Sequence, residues 1–438
     1  MQTIFALSSA PGKAGVAVIR LSGAQAKVAL QRLQAPLPSP RMATLAMLKD
    51  AQGMPIDQAL ALYFPAPHSF TGEDVVELHI HGSRAVTEQL LGIFSAMPEL
   101  RLAEPGEFTR RAFLNGKMDL TAAEGLADLI NAETAAQQKQ ALRLLKGEAA
   151  TFYEKLRQGI VHVLALLEAY IDFPDEDIPE HILAEIHAEV QTLISIIEAQ
   201  LQDSRVGEKI RDGVRVAILG APNVGKSSLM NLLARRDVAI VSHIAGTTRD
   251  VIEVHLDMGG YSVILSDTAG IREQAGEIEA EGIRRSFARA QEADIRIVMF
   301  DAAFPDYSPS VRLIDADTIV VINKSDLGLP SPLPNLEQPP IAISVNTGHG
   351  LDNLMDALER RIAAATAVEA GFITRSRHRA HLTHAIAHLK RYAENPTVGL
   401  ELRCEELRRA AAEIGKITGT IATDELLGHI FVSFCIGK

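Results

Sequence analysis

The sequence predicts a multidomain α/β chain: an α+β amino-terminal domain, then a helical domain interrupted by a doubly wound, mostly parallel sheet domain. Three observations predict it. A strand-like run, Val214 to Leu219, enters a glycine-rich loop that opens a helix at Ser228. Apolar residues step by three and four on both sides of that α/β stretch, before residue 210 and after residue 372. Residues 1–118 instead mix short β-like runs with Pro and Gly punctuation. A helical texture that stops and resumes is most simply an inserted domain, because such insertions need only termini that lie close together. Three consecutive parts and a tail are the alternative.

In chain order, Gly15 to Arg20, Ala59 to Phe64 and Val75 to His81 are predicted strands, and Ala85 to Met97 a helix. Leu142, Leu145, Ala149, Phe152, Leu156, Ile160, Val163 and Leu167 predict one face of a long helix. Ile186, Val190, Leu193, Ile197 and Leu201 predict a second. Between them Asp172 to Glu180 carries five carboxylates and two prolines, which reads as a solvated turn. Thr374 to Glu394 and Glu401 to Lys416 are two more amphipathic segments. The expected boundaries are 1–118, 119–210, 211–372 and 373–438.

Composition narrows the class. The 438 residues are 47% hydrophobic and 22% charged, which excludes a disordered chain. With 43 basic against 55 acidic residues, net −12, an overall field that coats nucleic acid is not expected. Cys404 and Cys435 are the two cysteines, so no disulfide framework is expected and a reducing cytoplasm is the default. No apolar run approaches the ~18 residues of a membrane span, and the first residues do not read as a signal peptide. No membrane association is expected.

The chemistry is concentrated in five pieces. Gly220-Ala-Pro-Asn223-Val224-Gly225-Lys226-Ser227, then Ser228, is the GxxxxGK[ST] loop in its strand–loop–helix setting. Its backbone N–H groups and the helix N-terminus suit phosphate oxygens. Lys226 should reach the β- and γ-phosphates, and the Ser227 hydroxyl should bind Mg²⁺. Thr248, in Gly246-Thr247-Thr248-Arg-Asp250, can complete the Mg²⁺ shell. Asp267-Thr268-Ala269-Gly270 places a carboxylate near Mg²⁺ and a glycine N–H near the γ-phosphate. Asn323-Lys324-Ser325-Asp326 ends in an acceptor that suits the N1–H and exocyclic amine of guanine. Ser344-Val345-Asn346 is the last base-contacting loop. Together they predict an inserted P-loop G domain that binds GTP.

Hydrolysis needs another device. Small GTPases resembling Ras carry Gln after the DxxG glycine to orient water; here that position is Ile271. Asn223 resembles the asparagine of potassium-dependent GTPases. That resemblance implies a K⁺ held by Asn223 and the segment Ser242-His243-Ile244-Ala245-Gly246-Thr247, with Ser242, Ile244 and Thr247 as its ligands. Such a cation stabilises transition-state charge as an arginine would. Glu273, Glu277, Glu279 and Glu281 are candidates, equal on spacing alone, to orient water.

The flanks carry a family resemblance. Ala10-Pro-Gly-Lys-Ala-Gly-Val-Ala-Val-Ile-Arg20, Phe70-Thr-Gly-Glu-Asp-Val-Val-Glu-Leu-His-Ile-His-Gly82, Ala103-Glu-Pro-Gly-Glu-Phe-Thr-Arg-Arg-Ala-Phe-Leu-Asn-Gly-Lys-Met-Asp-Leu120 and Cys435-Ile-Gly-Lys438 resemble the MnmE (TrmE) tRNA-modification GTPases over the whole chain. The resemblance implies a folate-binding-like, homodimer-forming amino-terminal domain and a helical domain with the G domain inserted. It implies a partner, the FAD-dependent MnmG (GidA), in a heterotetramer or larger complex. Together they would add a carboxymethylaminomethyl or aminomethyl group to C5 of the wobble uridine of tRNA. The methylene carbon would come from a tetrahydrofolate derivative, 5-formyl- or 5,10-methylene-tetrahydrofolate. Arg20, Glu77, Lys117 and Lys438 resemble folate contacts, Glu279 the water-orienting residue, and Cys435 a catalytic thiol; a packed thiol between Phe431 and Phe434 is the alternative.

Some positions depart from the family's pattern. Ser83 stands where a second glycine is common, the His79–His81 pair varies, and the last guanine loop reads Ser-Val-Asn. His79 and His81 share a strand face but lack a third metal ligand. His378, His381, His384 and His388, interleaved with arginines, read as a solvated basic helix rather than a metal site. Residues 375–416 hold nine Lys/Arg against five Asp/Glu, a weak candidate for tRNA phosphates. The alternative function is an RNA-binding ribosome-assembly GTPase like Era or Der. No GxxG clamp of the KH kind follows residue 372, and that reading leaves the amino-terminal domain unexplained.

Overall fold

The computed structural model describes residues 2–172, 181–202, 205–235, 253–267, 292–303, 314–329, 339–366, 371–395, 399–421, 424–432, 434 and 436–437. The chain forms two compact units. One comprises Met1–Ala127, Leu144–Gln158 and Ala411–Lys438; the other comprises Asp128–Arg143 and Gly159–Ala410. These units cut across the four sequence segments, because residues 411–438 pack with the amino-terminal part.

The first unit is built on six strands: β1 (Thr3–Leu7), β2 (Ala14–Ser22), β3 (Thr44–Lys49), β4 (Pro55–Phe64), β5 (Val75–Gly82) and β6 (Leu100–Leu102). They pair in the order β3-β4-β5-β2-β1-β6, antiparallel except for β1 with β6. Alternation along β2 sends Ala17, Ile19 and Leu21 into the core shared with α1 (Ala26–Arg32) and α2 (Arg84–Ser95). It sends Arg20 to the opposite face, where Ile4, Ala6, Ala103 and Phe108 form a smaller cluster. α3 (Glu107–Leu114) and α4 (Leu120–Asn131) follow. The final helix (Asp424–Val432) returns to them, burying Leu427, Phe431 and Phe434 with Leu120 and Ala123. Beyond it the Ser8 hydroxyl donates to the Gly437 carbonyl at 2.9 Å, and Ile436 bridges to Pro105.

A buried charge network joins these pieces. Arg111, 3% exposed, gives Nη1 to Glu73 at 2.9 Å and Nη2 to Glu107 at 3.0 Å and to the Gln2 carbonyl at 2.8 Å. Arg101 grips Glu107 with two bonds, 2.5 and 2.7 Å. Ser22 Oγ donates to Glu73 at 2.7 Å. Burial works against the Glu107 charge, but Arg101, the Glu104 N–H and Arg111 outweigh it and hold its carboxyl below the usual range.

Between the two helical stretches the structure corrects the sequence reading. The single long helix through Leu142 and Leu167 is two helices, α5 (Ala135–Leu145) and α6 (Glu148–Asp172). Gly147, at φ +79°, turns the chain between them. The break leaves Leu142 exposed, and Tyr153 rather than Phe152 is buried. The acidic turn 173–180 lies outside the described residues.

The second unit holds β7 (Val214–Gly220), β8 (Glu253–Met258), β9 (Tyr261–Asp267), β10 (Ile295–Asp301), β11 (Thr318–Asn323) and β12 (Ile341–Ala342) in the order β12-β11-β10-β7-β9-β8. All pairs are parallel except β8 with β9. Such strands are buried on both faces. Val216 and Ile218 face α9 (Lys226–Leu233) and α10 (Leu351–Thr366), whereas Ala217 and Leu219 join Val298 and Phe300. α7 (His181–Leu201) packs against α11 (Ser376–Glu394), and α8 (Val206–Asp212) leads into β7. α12 spans Leu400–Thr418.

α11 is not solvated all round, as its sequence suggested. His378 is fully buried with Leu382, Ala385 and Leu389, because the apolar residues at three- and four-residue spacing turn that face inward. Its basic side chains are partly engaged at home: Arg379 with Glu208, Lys390 with Glu198, and His388 and Arg391 with Glu406. Cys404 is buried, and burial, with the nearby Glu168 charge, pushes its thiol pKa up, so it stays a protonated packing residue. No helix among the described residues is long and apolar enough to cross a membrane.

The Glu107 arrangement sets a pH signature. Its depressed folded pKa contributes stability above the ordinary carboxylate pKa of about 4.3, lost as pH falls through the lower folded value. Glu107→Gln should cost about 3 kcal/mol at pH 7 by removing the carboxylate that Arg101 and Arg111 share. Urea transitions at pH 7 and pH 3 should show that deficit shrinking in acid.

Candidate functional site

The strand order reverses around β7: β8 and β9 lie on one side, and β10 to β12 on the other. A ligand crevice belongs at the carboxyl ends of the strands at such a point. The loop 221–225 emerges there and opens α9. Val224 is buried and anchors the loop, whereas Asn223 is exposed at φ +62°. Lys226 is only 7% exposed, and its ammonium donates to the carbonyls of Gly220 and Ala221, 2.9 Å each, so it lies over the loop. Ser227 and Ser228 are exposed in the first turn of α9, where backbone N–H groups have no intrahelical partner.

Gly225, at φ +104°, has no room for a side chain: a carbon there would collide with the Asn323 amide. That close approach carries a tie. Asn323, 3% exposed, donates from Nδ2 to the Val224 carbonyl at 2.8 Å and accepts at Oδ1 from the Val345 N–H at 3.1 Å. One amide thus joins the phosphate loop to the Ser344–Asn346 loop. It acts on backbone, a positioning use that its motif alone did not reveal. Lys324, at φ +63°, pairs with Asp301 at 2.5 Å. The Ser325 N–H donates to Ile343 O at 3.0 Å, so both base-side loops move together. Asp326 is exposed in the short 3₁₀ turn Ser325–Leu327. Ser344 is buried, Val345 half-buried and Asn346 exposed.

Asp267 ends β9 with its backbone beside Ile218, at the same sheet edge as the loop. Its side chain, the segments Ser242–Thr248 and Thr268–Gly270, and Glu279 lie outside the described residues. The residues present fit a nucleotide with Mg²⁺. A buried lysine lies over the loop, a glycine leaves the backbone uncovered, and serine hydroxyls open the helix.

In the other unit the family-derived residues assemble differently. Arg20 lies opposite Glu77 in register, and Nε donates to Oε1 at 2.8 Å. The Phe70 and Phe108 rings sit 5.4 and 5.7 Å from its guanidinium carbon. His79 lies on the same strand face, 3.7 Å from Glu77, and its Nε2 is buried without a hydrogen-bond partner. Lys117 Nζ donates to the Pro67 carbonyl at 2.9 Å, at the start of the loop that carries Phe70. Cys435 and Lys438 lie outside the described residues, but their neighbour Gly437 is bonded to Ser8 at the end of β1, and Ala6 of β1 pairs with Arg20. A cationic guanidinium, a carboxylate and two rings suit a flat, amide-rich heterocycle with an acidic tail. Phe70, Phe108 and the Arg111 network escaped the motif reading. Their signal, ordinary apolar or charged residues inside motif stretches, has meaning only once the strands are paired.

Strand order, the place of the glycine loop at the reversal point and the exposed Asp326 carboxylate on the base side put the chain among the P-loop GTPases. The particular branch follows from relatives. Residues 3–117 match the family described as GTP-binding protein TrmE N-terminus, and residues 120–435 the family described as MnmE helical domain. The tRNA modification GTPase MnmE of Paramagnetospirillum magneticum is 50% identical over 442 residues, and that of Parvibaculum lavamentivorans 51% over 443, each covering 100% of both chains. That of Rickettsia bellii is 49% identical, again over 100% of both chains. The chain belongs to the MnmE (TrmE) family of tRNA modification GTPases. Among solved structures, Era of Aquifex aeolicus bound to GDP and AlF₄⁻ is 30% identical, covering 34% of this chain and 56% of that one, with a TM-score of 0.26. The FeoB G domain of T. maritima is 26% identical, covering 35% and 98%, with a TM-score of 0.26. At such scores neither carries an argument.

Asn323→Ala would leave the Val224 carbonyl and the Val345 N–H unpaired, costing about 1–3 kcal/mol each. GDP affinity, read by fluorescent-nucleotide titration, should fall at least about tenfold. Asn323→Asp should be at least as damaging, because it keeps the acceptor for Val345 but sets a buried carboxylate oxygen against the Val224 carbonyl.

Proposed function

We propose that this GTPase, which acts in tRNA modification, is potassium-dependent and works with an FAD-dependent partner resembling MnmG (GidA). The pair would install carboxymethylaminomethyl or aminomethyl groups at C5 of the wobble uridine, using a tetrahydrofolate one-carbon donor. The observation that carries this reading is the Arg20–Glu77 pair between the Phe70 and Phe108 rings, in the same polypeptide as the phosphate loop. An Era- or Der-like assembly factor has no use for such a site, and full-length likeness to the MnmE relatives leaves no part of the chain to that alternative.

The residues divide the work. Asp326 selects guanine, and Asn323 holds the base loop against the phosphate loop. Lys226 and the α9 N-terminus neutralise phosphate oxygens. Ser227 and Thr248 are the proposed Mg²⁺ ligands, with Asp267 as a further carboxylate of that site; the ion would supply neutralisation of phosphate charge. Asn223, with Ser242, Ile244 and Thr247, is the proposed K⁺ site, and Glu279 the proposed water-orienting residue. In the other unit Arg20, Glu77, Lys117 and Lys438 are the proposed folate contacts. Cys435 is the proposed nucleophile. The domain reading (1–118, 119–210, 211–372, 373–438), with the G domain inserted, is proposed with it, as is cytoplasmic residence.

A homodimer through the amino-terminal domain is also proposed. Leu45, 61% exposed, lies directly opposite Leu60 across β3 and β4, with Met47 beside them on the same outer face. Contiguous exposed apolar side chains of this kind favour a partner surface.

Hydrolysis should be at least about tenfold faster in K⁺ than in Na⁺ at equal ionic strength, a transition-state electrostatic effect. Asn223→Ala should remove the difference; equal native rates in the two salts would sink the cation reading. Reconstitution of the full chain with a flavoprotein partner, tRNA and labelled folate should transfer label to uridine C5. Glu77→Gln should abolish the transfer while GTP hydrolysis persists; unlabelled uridine with the native protein refutes the folate reading.

A further inference from the structure

Two connections join the G domain to the helical segments: α8 leading in, and residues 371–375 leading out. Asp128, near the end of α4, holds both. Its Oδ1 accepts from Arg211 Nε at 3.1 Å and from Arg375 Nη2 at 2.7 Å. The connections also touch one another, for a carbon added at Gly207 would collide with the Ile373 carbonyl. α5 closes the third side: Gln140 Nε2 donates to Gly207 O at 3.0 Å, and Gln137 Nε2 to Arg211 O at 3.1 Å.

The same turn of α5 reaches the sheet. The Ala136 N–H donates to the Gly260 carbonyl at 3.1 Å. Gly260 lies in the turn between β8 and β9, and its own N–H is fixed on Asp257 at 2.8 Å. The segments flanking this hairpin in sequence hold Thr247–Thr248 and Asp267–Gly270, the Mg²⁺ and γ-phosphate candidates. β9 pairs with both β7 and β8, so it is a stiff connection from that turn to Asp267. Helix amides in the first turn lack intrahelical partners, so α5 can give one to the hairpin without weakening itself.

We propose that the first turn of α5 is a latch on the β8–β9 hairpin, and that Asp128 clasps both connections so that a hairpin shift during nucleotide turnover passes to α5 instead of dissipating in the neck. Ala136, Gln137 and Asp128 touch no nucleotide; they are positioning residues that couple hydrolysis to tRNA modification.

The test uses the full chain and two variants. Ala136→Pro deletes one N–H in a helix's first turn, where proline is tolerated. Asp128→Asn keeps the shape and removes the charge. Hydrogen exchange over residues 128–143 is compared with GDP and with GDP–aluminium fluoride, alongside GTP hydrolysis and wobble-uridine modification in cells carrying each variant. The native protein should exchange differently in the two states. Each variant should lose that difference and keep hydrolysis within about twofold, while modification falls about tenfold, a usual size for a coupling free energy. Identical native exchange in the two states overturns the proposal, whatever the tRNA chemistry. So does a variant that keeps both the difference and full modification. Loss of hydrolysis in step with modification in both variants also overturns it, because the contacts are then only structural.

Discussion

The G domain depends on one side-chain amide. A nucleotide is long, and its phosphates and base must be met by loops from different strands. Asn323 spans that gap with both ends of its amide on backbone, at Val224 and at Val345. The bond is possible only because Gly225 lets the chain come close. Lys226 and the exposed Asp326 then sit at opposite ends of a frame whose length is set by the sheet and held by the amide. Being buried, the tie is strong in proportion to the cost of leaving its partners unpaired.

The amino-terminal unit solves a similar problem with charge. The loop carrying Phe70, the start of strand β1 and helix α3 are far apart in sequence. Arg111 gathers them by bonding Glu73, Glu107 and the Gln2 carbonyl. A buried guanidinium is costly, yet here each carboxylate is shared with a further donor, Ser22 or Arg101, so no charge is stranded. Arg20 and Glu77 are thereby left paired on a face between two rings rather than consumed in the frame. Ile436 and Gly437 are held to the same unit by the Pro105 bridge and the Ser8 hydroxyl.

Within the second unit, the Asp128 clasp and the α5 contact with Gly260 tie the G domain to its helical neighbours at two levels, the neck and the hairpin. Held at the neck and at the hairpin, the sheet and these helices keep one arrangement that nucleotide chemistry can bias.

Much of this was legible beforehand. The glycine loop, its lysine and the Asn-Lys-Ser-Asp run are local patterns whose spacing implies their chemistry, and the apolar periods located the longer helices. The long helix through Leu142 was misread because a period of 3.6 survives a one-residue turn at Gly147, and His378 was misread because basic neighbours masked a buried face. Partners set by non-local pairing stayed invisible: Arg111 with Glu73, Asn323 with Val224, Arg20 under Phe70, Asp128 with two arginines. The sequence by itself determined which chemistry each segment can do, since that depends on residue type and short spacing. Only the tertiary structure decided which segments share a bond. Strand order and burial bring residues up to 247 positions apart to one carboxylate, and no local pattern encodes that distance.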